Sequence, residues 1–365
     1  MKHSSLWAIL VTLILMTVLV IPIPIVVAQP VFGETKTRGP EGQVPIWYTS
    51  ISLTPAEREK IRNGNYKIAY DQLAASEFDD TIGKAIEYTA KQLNMEYIHT
   101  FNRLDAAVQR ENIESILAAK PDIISAVSVD PAVSTIAFEE AAKKGVALVF
   151  CSNKASLKWN EDYKGGLVFY DLAGFGPLLA EKLDAELGGK GNIGYVYHEA
   201  NFFITNQRDQ GFKDALKDYP GLKIVDERPW SGNPADAEAV VSAMITARPE
   251  ISGLYLPWQE ALMPALAALR AAGRSDVKIV TNDIAEITAL EMVRNKNVVA
   301  MTQCMAWQYG VTVTELGCYA LLGKEIPAEC VMVPGLVATK DAISTIWPDL
   351  FNTELPAAVK KALEK

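Results

Sequence analysis

Hydrogen-bonding and aromatic side chains gather at one kind of place in this sequence, the carboxyl ends of short apolar runs. Read in order, those ends carry Asp71, Ser76, Phe78 and Asp79, then Ser128 and Asp130, then Cys151, Ser152 and Asn153. Tyr170 and Asp171 follow, then His198, Asn201 and Phe202, then Trp258 and Gln259. Asn282 with Asp283 and Gln303 with Trp307 complete the series. Carboxylates, amides and a guanidinium satisfy hydroxyl groups as they leave water, and flat rings cover the apolar face of a sugar ring. The mixture suits a small polyhydroxylated ligand. The competing explanation is structural, since Asp and Asn at strand ends commonly cap the next helix and Trp or Phe there can be core.

Reaction chemistry finds less support. Gly189-Lys190-Gly191-Asn192-Ile193-Gly194 spells the dinucleotide fingerprint, but that motif works only after a strand and at the opening of a helix. Here it follows a helical pattern and opens a strand, so it reads as a turn. Asp79 and Asp80 are paired acids, a helix-start pattern more often than a general acid and base. With three His in the chain and no CxxC, neither metal nor redox chemistry is indicated, and no cofactor is expected. A net charge of −9 opposes binding to a phosphate backbone, so nucleic acid is not an expected partner. Cys151, Cys304, Cys318 and Cys330 leave two readings open, buried small apolar residues or one disulfide.

The elements that must position these side chains alternate. Short apolar strands at 66–70, 97–100, 123–127 and 147–150 are separated by amphipathic helices at 80–93, 106–119 and 132–144. After a polar, Gly-containing break at 159–166 the rhythm resumes, with strands at 193–197, 223–226, 253–256, 278–281 and 298–302. Strands apolar throughout and joined by helices are buried on both faces, the parallel-sheet signature. An α/β chain of two similar halves is predicted. Ahead of it, Met1-Lys2-His3 and the uncharged run from Leu6 to Ala28 read as an export signal, with an uncleaved anchor as the alternative. Either places the protein outside the cytoplasm. Residues 29–65 read as a flexible linker and a short helix, in which Thr54, Pro55 and Glu57 form the start.

The chain resembles the type I periplasmic substrate-binding proteins of ABC transporters, in the ribose/galactose-binding group. The likeness runs from about Tyr66 to Ile346 and is carried by particular segments: Ile68 to Phe78, Pro121 to Val127 with Asp130, Arg208-Asp209-Gln210-Gly211-Phe212, Ala271 to Val277 leading to Asn282-Asp283, and Gly323 to Pro327. The resemblance implies two Rossmann-like lobes with parallel sheets, joined by a three-strand hinge that crosses near Asp171, Gln303 and Pro334. The lobes would be 66–171 with 304–333 and 172–303 with 334–350, followed by a tail helix at 351–365. It also implies that Arg208 and Asp283 hold ligand hydroxyls, with Phe78, Asp79, Asn153, Trp258 and Gln303 at the other family positions; Asp171, at the crossover, joins them as a candidate. Ser152-Asn153 and Trp258 depart from the ribose pattern and point to a different sugar, a polyol or another small polar molecule. The implied role is that of a monomeric exported protein that delivers ligand to an ABC permease. The alternatives are a sensing module that presents its closed form to a chemoreceptor or kinase, and an exported α/β enzyme.

Overall fold

Apolar runs too short for helices, flanked by polar helix starts, force the chain to bury each run between two helical layers. The computed structural model describes residues 34–200 and 202–365, so the expected leader at 1–28 and Asn201 lie outside it. The described chain begins with β1 (Ile46–Trp47) and α1 (Pro55–Arg62). Next come β2 (Lys67–Gln72), α2 (Glu77–Gln92), β3 (Glu96–Phe101), α3 (Ala106–Ala118) and β4 (Ile123–Ala126), then α4 (Pro131–Lys143), β5 (Ala147–Cys151) and β6 (Gly165–Tyr170). The second half holds α5 (Phe175–Leu187), β7 (Gly191–His198), α6 (Phe203–Ala215), β8 (Leu222–Trp230), α7 (Pro234–Ala247) and β9 (Gly253–Tyr255). It continues with α8 (Leu262–Ala271), β10 (Lys278–Asn282), α9 (Glu286–Arg294) and β11 (Val298–Cys304). The chain closes with α10 (Ala306–Leu321), β12 (Cys330–Val333), β13 (Gly335–Ala338), α11 (Ile343–Phe351) and α12 (Ala357–Leu363).

Two sheets result. One has the order β1-β12-β6-β5-β4-β2-β3, and its pairs are parallel. The other runs β13-β11-β10-β9-β7-β8, parallel except where β13 meets β11. The chain passes between them after β6, after β11, and at Pro334 between β12 and β13. Strands β4, β5 and β6 are buried at every residue, as strands covered on both faces must be. No described helix is long and apolar enough to cross a membrane.

Strand β6 carries no strand signal in its first residues because its glycines look like a break. Gly165 has φ +117°, and a Cβ there would lie 2.0 Å from the Leu148 carbonyl oxygen. A glycine that reads as a turn is therefore a close approach of two strands. The Gly189–Gly194 segment runs from the turn after α5, where Gly188 and Gly189 are both at positive φ, into the first residues of β7, so it follows a helix and opens a strand. All four cysteines are unbridged and buried.

The expected linker needs correcting. Residues 34–47 form a strap held at both ends. Thr35 Oγ1 donates to Asp171 Oδ1 at 2.5 Å, and Thr37 Oγ1 donates to the same oxygen while accepting from the Ala173 amide at 2.9 Å. Arg38 and Gln207 exchange two bonds of 2.9 Å, from the Arg38 amide to Gln207 Oε1 and from Gln207 Nε2 to the Arg38 carbonyl. Toward the first sheet, Gln43 Nε2 donates to Glu329 Oε2 at 2.7 Å, and β1 adds itself beside β12. The following helix starts as expected, with Thr54 and Glu57 forming a reciprocal cap. The tail is also more than an appendage: α12 buries Val359 and Ala362 and packs on α9.

Thr37 is fully buried and its hydroxyl makes two bonds, one to a carboxylate. Thr37→Val keeps the shape and strands both partners, which should cost about 2–4 kcal/mol. A lowered urea midpoint is the expected result; an unchanged midpoint would show that the strap is not fastened.

Candidate functional site

In parallel sheets the helices begin where the strands end, so the carboxyl edges collect loop side chains and helix N-termini. The two sheets turn these edges toward a common cavity of about 360 Å³. From the first lobe the β2–α2 junction supplies Leu73, Ala74, Ser76, Phe78 and Asp79, and the end of β6 supplies Tyr170. From the second, β7 and the first turns of α6 bring His198, Phe202, Ile204, Thr205 and Arg208. Trp258, Gln259 and Glu260 follow β9, and Asp283 follows β10. A larger hollow of about 600 Å³ lies beside the strap, and several of its polar groups are already bonded. Gln207 is paired with Arg38, Asp171 with Thr35 and Thr37, and Asp214 with Lys217 and Gln210.

Arg208 organises the cavity. Its side chain is 4% exposed, and Nη1 donates to both Asp283 oxygens at 3.0 Å and to the Tyr170 hydroxyl at 3.3 Å. Its Nε is buried with no hydrogen-bond partner. Burial works against the guanidinium charge, yet Asp283, and after it Tyr170, hold Arg208 protonated more firmly than usual. Asp283 sits at φ +65°, a left-handed conformation for a non-glycine residue, with its amide bonded to the Thr302 carbonyl at 2.7 Å. Such a conformation persists only where surrounding structure fixes it, and it clusters at functional sites.

The remaining walls are aromatic or acidic. Phe78 stands edge-on to Tyr170 and Tyr309, with ring centres 6.2 and 6.0 Å away. Trp258 packs against Trp230 at 4.4 Å and edge-on to His198 at 4.9 Å. Burial, with Asp80 and Asp283 adding to it, pushes the Asp79 carboxyl up to about 7, although Ser76 Oγ donates to it at 2.6 Å. His198 is held below its ordinary value by burial and then by Arg208, and Nδ1 lies 2.8 Å from Thr205 Oγ1. The lobes touch across the cleft: the Glu286 amide donates to Glu77 Oε2 at 2.8 Å. A guanidinium whose Nε–H lacks a partner, carboxylates and several aromatic rings thus line one hollow.

A family model described as a periplasmic binding protein domain matches residues 40–325, more than three quarters of the chain. The chain belongs to the periplasmic binding protein family. Among curated relatives of this binding protein, the D-ribose/D-allose-binding protein of Pseudomonas aeruginosa is 25% identical over 244 residues, 63% of this chain and 76% of that one. The D-apiose import binding protein of Actinobacillus succinogenes is 27% identical over 130 residues, 36% of this chain, and the match spans only 42% of that relative's length. Among solved structures, the periplasmic ribose ABC transporter protein of Conexibacter woesei superposes with a TM-score of 0.70 at 18% identity, covering 79% of this chain and 98% of that one. That likeness establishes the two-lobed fold.

The cavity of this periplasmic binding protein gathers Phe78, Asp79, Arg208, Trp258 and Asp283 from the eight expected site residues. The other three are placed elsewhere. Asn153 spends its Nδ2 on the Ser128 carbonyl at 2.8 Å. Asp171 is a hinge acceptor for Thr35, Thr37 and the Gly174 amide. Gln303 is buried, and its Oε1 accepts the Ile284 amide at 2.9 Å, so it braces the Asp283 loop from behind. Helix capping also claims part of the junction series, since Asp130 caps α4 through the Ala132 and Val133 amides. Asp71 is consumed by Thr100, Asn102, Gln109 and Asn112. Tyr170, His198, Ser76, Phe202 and Gln259 were visible as junction residues. Ile204 and Thr205 were not, because they lie inside the first turn of α6 and carry no distinguishing pattern.

A carboxyl raised in the folded state binds its proton more tightly there than in the unfolded chain, where the value is about 3.9. Asp79 should therefore erode stability as pH rises from about 4 to about 7, with the loss complete above that. Asp79→Asn removes the loss. The ligand-free variant should be more stable than the parent at pH 8, on the order of 2 kcal/mol, and the gap should close toward pH 4. Asp209, raised to about 6 by burial, keeps a residual slope in both proteins. Denaturant titrations at several pH values measure this, and parallel curves for the two proteins would contradict it.

Proposed function

We propose that this chain is an extracytoplasmic solute-binding protein that captures a sugar or polyol between its lobes and delivers it to an ABC permease. The observation that carries the reading is Arg208, a guanidinium that lines the cavity, is held by Asp283 and Tyr170, and has its buried Nε–H without a partner. A donor so placed is costly to bury unless a ligand oxygen completes it. The size of the hollow supports a single small ring, and the aromatic surfaces of Phe78 and Trp258 suit the C–H faces of such a ring. Names among the relatives point the same way: ribose and allose for one protein, apiose for another.

In this reading the three crossings at 171–174, 304–306 and 334 are the hinge, and the segments they separate move as two lobes. Polar ligands favour the closed form because both lobes bond one molecule at once, and domain closure about a hinge is the motion by which periplasmic binding proteins enclose their ligands. The Glu77–Glu286 and Arg208–Tyr170 bonds join the lobes directly and would form on closing. Export and the permease are parts of the same reading. Retrieval of ligand chemically unchanged after binding would separate it from an enzyme.

The test is a thermal-shift screen of the mature protein against neutral sugars and polyols. A ligand at a hundred times its dissociation constant should add about 2.7 kcal/mol of stability. Arg208→Lys, which keeps the charge and loses the planar fork, and Arg208→Ala should both lose this response. Trp258→Ala should weaken binding by about 1–2 kcal/mol, roughly tenfold, by removing a face. A full response in all three variants would remove the cavity from consideration.

A further inference from the structure

Charge around the cavity is unbalanced. Among the described residues that line it, Asp79, Glu260 and Asp283 are set against one guanidinium, Arg208. Arg208 is committed, because Nη1 lies 3.0 Å from both oxygens of Asp283. His198 adds no positive charge near neutrality, being held below its ordinary value. Glu260 keeps an exposed face at the rim, although burial and then Asp283 hold it above its ordinary value. Asp79 has no such relief: it is 6% exposed, and its nearest partner is the neutral hydroxyl of Ser76. A carboxylate withdrawn from water without a cation costs several kcal/mol. On the opposite lobe it faces Asp283, whose charge is of the same sign.

We infer that the ligand is an aminated sugar or polyol, with its ammonium group against Asp79 and its hydroxyls on the Arg208–Asp283 pair. The inference rests on the reading of the cavity as the site of a polyhydroxylated ligand. An ammonium supplies the missing counter-charge, and its three N–H donors suit the acceptor-only oxygens of ionised carboxylates on both lobes. The rings of Phe78, Phe202, Tyr170 and Trp258 around the same hollow favour a cation as well as a sugar face. A neutral sugar meets the site in a different way: Asp79 would keep its proton and donate it to a hydroxyl.

The two cases differ in sign with pH. Asp79 is faced by Asp80 on its own helix, by Tyr70 of β2, Cys151 of β5 and Tyr170 of β6, and by Asp283 across the cleft. Tyr70, Tyr170 and Cys151 are all pushed upward by burial and stay neutral between pH 5.5 and 7. Over that window an ammonium ligand must displace the Asp79 proton. Its affinity should rise with pH, by up to about tenfold per unit. A neutral sugar that accepts the Asp79 proton should weaken instead.

Calorimetric titration of the full mature protein with matched pairs tests this: D-glucosamine and D-glucose, D-galactosamine and D-galactose, and scyllo-inosamine and scyllo-inositol. The expected result is at least tenfold tighter binding of the amine in the pair that binds, strengthening from pH 5.5 to 7. Asp79→Asn, with its folding checked by the denaturant titration, should abolish both the preference and its pH dependence. Equal or tighter binding of the neutral member would overturn the amine inference and leave the cavity reading standing. Failure of every compound to bind would overturn both.

Discussion

A buried guanidinium has few ways to exist, and the site is built around satisfying this one. Arg208 stays charged in a dry setting because Asp283 and Tyr170 meet it. Breaking such a pair by removing one partner leaves an uncompensated charge and costs far more than the pair contributes when intact. The requirement propagates. Asp283 must hold a left-handed backbone, fixed by the Thr302 carbonyl and by Gln303 through Ile284. Tyr170 must end β6 where the chain leaves the first sheet, and α6 must begin with its first turns over the cleft. What remains without a partner on Arg208 is the buried Nε donor, in a side chain that lines the cavity.

The architecture makes this economical. Parallel strands deliver all their variable loops to one edge, and two such edges set face to face enclose a hollow between surfaces that each fold independently of the ligand. The strap at 34–47 ties the first sheet to the crossover and to Gln207, the neighbour of Arg208 in sequence. It therefore joins the crossover to the helix that carries Arg208.

Much of the alternating fold was legible because buried parallel strands leave a pattern of uninterrupted apolar runs between amphipathic helices. The pattern failed where glycine permits a close approach, as at Gly165 in β6, and where two residues suffice for a strand, as at Ile46 and Trp47. The strap was hidden by composition: Gly, Pro and Thr look like a linker, and only the fold shows that Thr35 and Thr37 meet Asp171 from 136 and 134 residues away. The site was half legible for a similar reason. Polar residues at strand ends divide between facing the cleft and bracing its walls, and sequence does not say which way a side chain turns. Asp79, Asp283 and Trp258 turn inward; Asn153, Gln303 and Asp171 turn toward backbone amides, carbonyls or the strap.

The central claim is that one polar molecule completes the coordination of Arg208 between the lobes. A crystal structure of the protein grown with its tightest-binding sugar, polyol or amino derivative tests it most directly. The predicted result is a ligand oxygen within about 3.2 Å of Arg208 Nε, with a ring face against Phe78 or Trp258. Density for the ligand beside the strap, or anywhere that leaves Arg208 Nε untouched, would contradict it.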